Sequence, residues 1–243
     1  MTAAGTPSAE HGRPDAHHAH AAAPRFRTPP NPRRAALSAA AAVAVFAALC
    51  PLDRPAYLAL HNPAAQTYLA DAIIKAAGTM YPWLAVAAAM ALAAVPRASA
   101  GLGARAFRPA ALLLSSPALA GGAAEVLKLV LRRERPILHD GFQVYRSLAG
   151  DRAWHSGGLD LPSSHAAVAF GAAFALCVIA PRLSPLWVII GVACAAQRVV
   201  AGAHFVSSVF LGGALACACT TFLCRVGAAG EPRAAPLAKG GSA

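Results

Sequence analysis

Charge is scarce in this sequence. Only 13% of its 243 residues are Asp, Glu, Lys or Arg, against roughly 25% in an ordinary soluble domain. Acidic residues are the scarcest: 10, against 21 basic ones. No cluster of carboxylates suggests a metal, so no cofactor is expected. No CxxC pair occurs among the six cysteines, which removes support for a structural zinc site. Five of them, Cys177, Cys194, Cys217, Cys219 and Cys224, lie inside apolar runs. A free thiol there behaves as a small hydrophobe, so a disulfide framework is not expected either. No internal repeat is present.

Apolar residues are abundant, at 57%, and they are clumped. Ala35 to Leu52 and Tyr81 to Val95 carry no charge, and Ala110 to Leu131 carries only Glu125 and Lys128. Leu161 to Ala180, Leu186 to Val200 and Phe205 to Cys224 are interrupted only by His165 and Arg198. A run of about 20 such residues spans a bilayer as a helix. A soluble bundle is the competing reading, but one small core cannot bury six helices that are apolar all round. The expected fold is therefore all-α: a polytopic membrane protein with six transmembrane helices. The runs favour Ala and Gly over Leu, which weakens each insertion signal but gives smooth faces for close packing in lipid. Tyr81 to Val95 is short for a span and is extended backwards through "DAIIKAAGTM", whose first part is expected along the membrane surface. The first run follows "NPRRAAL"; its long leader and the later runs mark it as an anchor and not a cleaved signal.

Cytoplasmic loops carry excess Lys and Arg. Arg25, Arg27, Arg33 and Arg34 precede the first run, Arg97, Arg105 and Arg108 follow the second, Arg182 follows the fourth, and Arg225, Arg233 and Lys239 follow the sixth. With six spans all fall on one side, which places both termini in the cytoplasm. The net charge of +11 then reflects topology and attraction to anionic lipid. Nucleic acid is not an expected partner, because the arginines are not gathered on one soluble domain. The domain reading is a disordered tail over 1–34, a membrane domain over 35–224 and a flexible tail over 225–243.

One basic cluster breaks the rule. "KLVLRRERP" follows the third run on the external side. Snorkelling to headgroups is its simplest explanation. Two more polar clusters reach the same side: "LPSSHAA" at the start of the fourth run, and Arg198 with His204 between the fifth and sixth. Lys128 and Arg135 stand seven residues apart, about two turns, so both can point to one side of the third helix, which Pro136 then stops. Together they suit an oxyanion, one as a point charge and the other as a planar fork. Ser163 or Ser164 can cap the fourth helix, whose free N–H groups form an anion site. Capping does not explain His165, which can donate a proton to a leaving oxygen. Arg198 can hold the same anion. His204 can attack phosphorus through a ring nitrogen, although an interhelical hydrogen bond would also account for it. This inventory fits metal-free phosphoryl transfer through a phosphohistidine.

These motifs resemble those of the type 2 phosphatidic acid phosphatase superfamily, which includes the vanadium haloperoxidases and glucose-6-phosphatase. The family pattern KxxxxxxRP, PSGH and SRxxxxxHxxxD is similar to "KLVLRRERP", "PSSH" and "QRVVAGAHFVSS" here. The resemblance runs over about Ala35 to Cys224. It implies an acid phosphatase/haloperoxidase-like helical core, phosphate binding by Lys128, Arg135, Ser163 and Arg198, a general acid at His165 and a nucleophile at His204. It also implies six spans with an external site. Ser164 replaces a Gly, though its N–H remains available to phosphate. Gln197 replaces a Ser. Ser208 replaces the Asp that holds the nucleophilic histidine from behind; its hydroxyl can accept the bond but brings no charge. Asp140, Asp151 or Asp160 could substitute. Ser208→Asp is expected to raise turnover.

The resulting expectation is a bacterial inner-membrane lipid phosphatase with its site facing the periplasm or exterior. Its partner is a phosphorylated membrane lipid: phosphatidic acid, phosphatidylglycerol phosphate, undecaprenyl diphosphate or lipid A. Arg132 and Arg133 would suit a polyanionic headgroup. Two other classes compete: a pseudophosphatase that binds phosphorylated lipid without turnover, motivated by Ser208, and a small anion transporter, motivated by the intramembrane charge.

Overall fold

Apolar runs punctuated by Pro, Asn and Ser become helices with definite starts. In the computed structural model, which describes residues 31–66, 69–149 and 154–229, the Asn31 side chain accepts from the Arg33 N–H (3.0 Å) and Pro32 opens α1 (Pro32–Leu49). A 3-10 turn carries the chain into α2 (Asp53–Leu60), followed by α3 (Leu69–Ala76) and α4 (Met80–Arg97). Then come α5 (Arg108–Leu131), α6 (Ser164–Ile179), α7 (Ser184–Val200) and α8 (Val206–Ala229). Among the described residues there is no strand, only isolated bridges of Arg133 with Tyr145 and Glu134 with Leu159. The protein is all-α. Most of both tails, and Asp151, lie outside the described residues.

Four segments are long and apolar enough to cross a membrane: Pro32–Leu60, Met80–Leu131, Pro181–Val200 and Val206–Gly227. The second contains both α4 and α5, joined through a bend where Gly101 has φ 103°. The sixteen residues of α6 reach about 24 Å at 1.5 Å per residue, short of the roughly 30 Å hydrocarbon layer. The six apolar runs thus correspond to α1, α4, α5, α6, α7 and α8.

The packing suits a lipid solvent. Leu37, Leu84, Leu92, Val126, Val130, Ile189 and Phe222 are exposed, whereas Ala166, Ala167, Ala169, Ala172 and Ala175 of α6 are fully buried. Large aliphatics on the outside and small residues within are what close helix packing in a bilayer requires. Helix α6 is the axis, packed against α5, α7 and α8. Ser116 of α5 donates to the Gly171 carbonyl (2.8 Å) and lies 2.6 Å from Thr220 Oγ1 of α8, tying three helices with one hydroxyl.

Two glycines set the helix separations. A Cβ on Gly171 would stand 2.8 Å from Pro117 Cα, and one on Gly212 would stand 2.6 Å from the Ser163 carbonyl oxygen. Gly171→Ala should therefore push α6 off α5 and cost about 1–3 kcal/mol, read as a lower thermal midpoint in detergent. Gly122→Ala is the control: its Cβ meets nothing within 4 Å, and Ala is better than Gly in a helix by about 1 kcal/mol, so its midpoint should hold or rise.

Candidate active site

Helix α5 stops earlier than the position of Pro136 implies. Arg132 adopts the left-handed conformation (φ 56°, ψ 19°) and its N–H closes the helix on the Lys128 carbonyl. Its side chain donates to the Arg146 carbonyl (3.0 Å) and the Ser147 carbonyl. These bonds turn the chain out of the helix, so Lys128 and Arg135 do not share a helix face. Lys128 sits in the last turn of α5, and Arg135 sits in the following loop. Arg135 is held there by its N–H to the Gly158 carbonyl (3.0 Å).

The loop is stapled by charge. Arg146 Nε donates to Glu134 Oε1 (2.7 Å), and its two Nη atoms donate to the carbonyls of His155 and Gly157 at 3.0 Å each. Bonds from Arg146 and His139 hold the Glu134 carboxyl below its ordinary range. This staple brings Asp160 against the loop that follows α5, where the Asp160 N–H donates to the Arg133 carbonyl (2.7 Å).

Ser163 caps α6: its hydroxyl accepts from the Ala166 N–H (3.3 Å), and its own N–H donates to the Ser208 carbonyl (3.1 Å). Ser164 opens the helix, and its hydroxyl accepts from Lys128 Nζ (2.8 Å). Lys128 also donates to Glu125 (2.7 Å), a carboxylate beside the cations that sequence reasoning passed over. His165 stands in the first turn of α6, half-buried, its backbone carbonyl accepting from the Cys194 thiol. The positive charges of Arg198 and Lys128 act on its ring. Arg198 closes α7 and is buried; it interacts electrostatically with Arg135.

His204 is buried at the α7–α8 turn, outside the apolar spans. Its Nδ1 lies 2.9 Å from Asp160 Oδ1 and 2.9 Å from the Asp160 carbonyl oxygen. Both neighbours are acceptors, so Nδ1 carries the proton and the Nε2 lone pair is free. Burial lowers the ring's pKa to about 4, against the opposing pull of Asp160. At neutral pH the imidazole is uncharged, as a nucleophile must be. Nε2 is buried without a hydrogen-bond partner, as are Arg135 Nε and Arg198 Nε. Buried polar groups are nearly always paired, so three such atoms, one from "KLVLRRERP" and two from "QRVVAGAHFVSS", mark where an anion belongs.

Ser208 is fully buried, but its hydroxyl donates to the Asp160 carbonyl (2.7 Å) and not to the ring. The carboxylate behind His204 comes from the loop before α6. Asp140 is not in that position, and Asp160 is. Arg133, expected to face a headgroup, is instead wholly buried. Its Nε donates to Asp160 Oδ2 (2.7 Å), Nη1 to Asp53 Oδ2 (3.0 Å) and Nη2 to Ser207 Oγ (2.9 Å). Asp53 also accepts from the Ser207 N–H (2.9 Å) and hydroxyl. Sequence reasoning missed Asp53. Its available signal was position: it is the first charge after the first apolar run, on the side of the membrane where the three clusters converge.

Residues 109–229 match the family model of the PAP2 superfamily, and the chain belongs to that superfamily. No curated protein and no solved structure matches it. Members of the superfamily are phosphatases that act on phosphorylated substrates, and the matched residues include Lys128, Arg135, Ser163, His165, Arg198 and His204. The chain is accordingly a phosphoric ester hydrolase by family and a membrane protein by its apolar helices.

Two outcomes follow. Ser208→Asp would set a third buried carboxylate beside Asp160 and Asp53 with only Arg133 to balance them. It should lower yield and activity, reversing the expectation from sequence, whereas Ser208→Ala should cost only about 1 kcal/mol for its one hydrogen bond; thermal midpoint and phosphate release check both. Because the folded His204 pKa lies below its ordinary value of 6.5, its contribution to stability is full above that value. It is lost as pH falls from 6.5 towards 4, since only the unfolded ring takes up the proton readily. Between pH 6.5 and 4.5 the thermal midpoint of wild type should fall more steeply than that of His204→Gln.

Proposed function

We propose that this protein is a membrane-bound, metal-independent lipid phosphatase working through a phosphohistidine. The observation that carries the reading is His204: Nδ1 is engaged by a carboxylate while Nε2 is buried and unpartnered. Arg135, Arg198 and Lys128, with the N-terminus of α6 at Ser163 and Ser164, hold the phosphoryl group. Nε2 bonds to phosphorus as the ester P–O bond breaks, and the leaving oxygen takes the proton of His165. A water then bonds to phosphorus, its proton passes to His165, the N–P electron pair returns to the ring, and phosphate leaves. Cations that neutralise the equatorial oxygens do most of the work.

A lipid substrate is supported by the apolar exterior and by a cavity of about 340 Å³ lined by Val43, Phe46, Leu161, Leu211 and Ala214, between α1 and α8. Its lining, which also includes Tyr145 and Arg133, is mostly apolar and suits an acyl chain. Candidate headgroups are phosphatidic acid, phosphatidylglycerol phosphate, undecaprenyl diphosphate and lipid A. In this reading 35–224 is the membrane domain with six spans, 1–34 and 225–243 are cytoplasmic tails, and the site faces the exterior of a bacterial inner membrane. The non-catalytic alternative rested on Ser208; Asp160 behind the ring supports the catalytic reading over it.

Detergent-purified protein should release phosphate from short-chain phosphatidic acid or another of these four lipid classes. Activity should survive EDTA, be inhibited by vanadate, and fall to background in His204→Ala. Equal rates for wild type and His204→Ala across the panel would remove the enzyme reading.

A further inference from the structure

Resting on the phosphohistidine reading, we infer that Asp53, Arg133 and Asp160 form a positioning relay behind His204, and that Asp53 lets Asp160 act on the ring as a charge. The geometry is a buried chain of four side chains. His204 Nδ1–H donates to Asp160 Oδ1 (2.9 Å); Arg133 Nε and Nη2 both reach Asp160 Oδ2 at 2.7 Å; Arg133 Nη1 reaches Asp53 Oδ2 at 3.0 Å. None of the four side chains is exposed.

The charge balance gives Asp53 its role. Arg133 with Asp160 alone would be a neutral pair, leaving the ring little net charge to lean on. Asp53 accepts only from donors: the Ser207 N–H and hydroxyl, Arg133, and Gln143 Nε2 at 3.2 Å. That donor set is one for a carboxylate. Two carboxylates and one guanidinium leave one negative charge behind His204. When Nε2 bonds to phosphorus while Nδ1 keeps its proton, the ring gains one positive charge. The surplus offsets that charge where it forms. When water cleaves the N–P bond, the electron pair returns and the ring is neutral again. Asp160 also fixes the tautomer, by accepting the proton of Nδ1 in a hydrogen bond. An amide in its place would remove the negative charge and set its NH2 against a donor, either Arg133 or the Phe205 N–H and Nδ1–H, disturbing the geometry that holds the ring.

The relay also gives the first membrane segment a part in the site. Asp53 lies outside the residues that match the family, at the junction that leads into α2. From there it holds the start of α8 through Ser207 and the loop through Arg133.

The test compares wild type, Asp160→Asn, Asp53→Asn, Asp160→Glu and His204→Ala on whichever lipid of the panel wild type hydrolyses. Inhibition by inorganic phosphate serves as the check that the anion pocket is intact. We expect Asp160→Asn to lose about 10³–10⁴-fold in kcat, as neutral replacement does behind a catalytic histidine, and Asp53→Asn to lose about 10–100-fold, a charge effect felt at one remove. KM and the phosphate inhibition constant should stay within about threefold of wild type, because the cations that bind phosphate are untouched. Asp160→Glu keeps the charge and should recover at least a tenth of the wild-type kcat; this variant decides the matter if Asp160→Asn does not accumulate folded. The inference is overturned if the Asn variants keep wild-type kcat, if their loss lies in KM, or if Asp160→Glu is as inactive as His204→Ala while still binding phosphate. Wild type no faster than His204→Ala would instead overturn the phosphatase reading beneath it.

Discussion

Arg133 is the residue around which the site is assembled. A guanidinium with no exposed surface is stable only if its charge and its donors are all met, because desolvation costs several kcal/mol per ion. Here all three nitrogens are engaged, by two carboxylates and a hydroxyl. Its face also lies 4.7 Å from the centre of the Phe205 ring. Those partners come from three separate stretches, the α1–α2 junction, the loop before α6 and the start of α8, and Arg133 ties them to the loop after α5. No one stretch can move without leaving a buried charge unmatched. The precision of His204 is inherited from this constraint, since Asp160 bonds both Arg133 and the ring.

The consequence is a polarised histidine. Anionic groups gather on the Nδ1 side, and the cations Lys128 and Arg198 act on the ring from elsewhere in the site. A carboxylate at Nδ1 pushes electron density towards Nε2, and in the proposed phosphohistidine mechanism the cations favour the phosphoryl oxygens there. The two halves of the arrangement favour the same displacement. Glu125 is the exception within the cationic half: it occupies Lys128 on one side, so Lys128 meets an anion already tethered, while Arg135 and Arg198 keep unpartnered Nε atoms.

The sequence made the cationic half legible and the anionic half obscure, and the reason is distance along the chain. Lys128, Ser163, His165, Arg198 and His204 stand in short motifs, and the expected charge topology sends those motifs to one surface. Local spacing plus one global rule is enough. Asp160 behind His204 is a pairing across 44 positions, and Asp53 with Ser207 a pairing across 154. No periodicity encodes such a bond. The error at Arg133 has the same origin: in a basic cluster at a membrane surface an arginine reads as solvated, and only the fold reveals two carboxylates waiting for it. The end of α5 was misplaced for a local reason. Pro136 is a strong breaker, but Arg132 leaves the helix first, by a side chain bonded to carbonyls fourteen and fifteen residues on. The all-α membrane class was legible because the apolar runs are long. The number of spans is less so, since α6 is built from residues small enough to be buried by helices alone.

The first segment shows how little sequence is needed to bind a membrane helix to a catalytic core. Helix α1 buries no residue, so its outer surface is constrained by little beyond apolarity. The specific contacts begin at its end. Asp53 grips Arg133 and Ser207. One turn on, Tyr57 stacks on His61 with ring centres 4.8 Å apart. The His61 ring and the Asn62 N–H then meet the Val200 carbonyl at 3.2 and 2.9 Å. That carbonyl ends α7, two residues after Arg198. Helix α2 therefore braces both sides of the turn that carries His204: the incoming side through Val200, and the outgoing side through Ser207. A turn clamped at both ends has little freedom to tilt the imidazole, and the opening Gly202, at φ 66°, leaves room for it, since a Cβ there would stand 2.7 Å from the His61 ring. The brace is short and polar, and its central bonds, Asp53 with Arg133 and Ser207, are buried where no solvent competes for them.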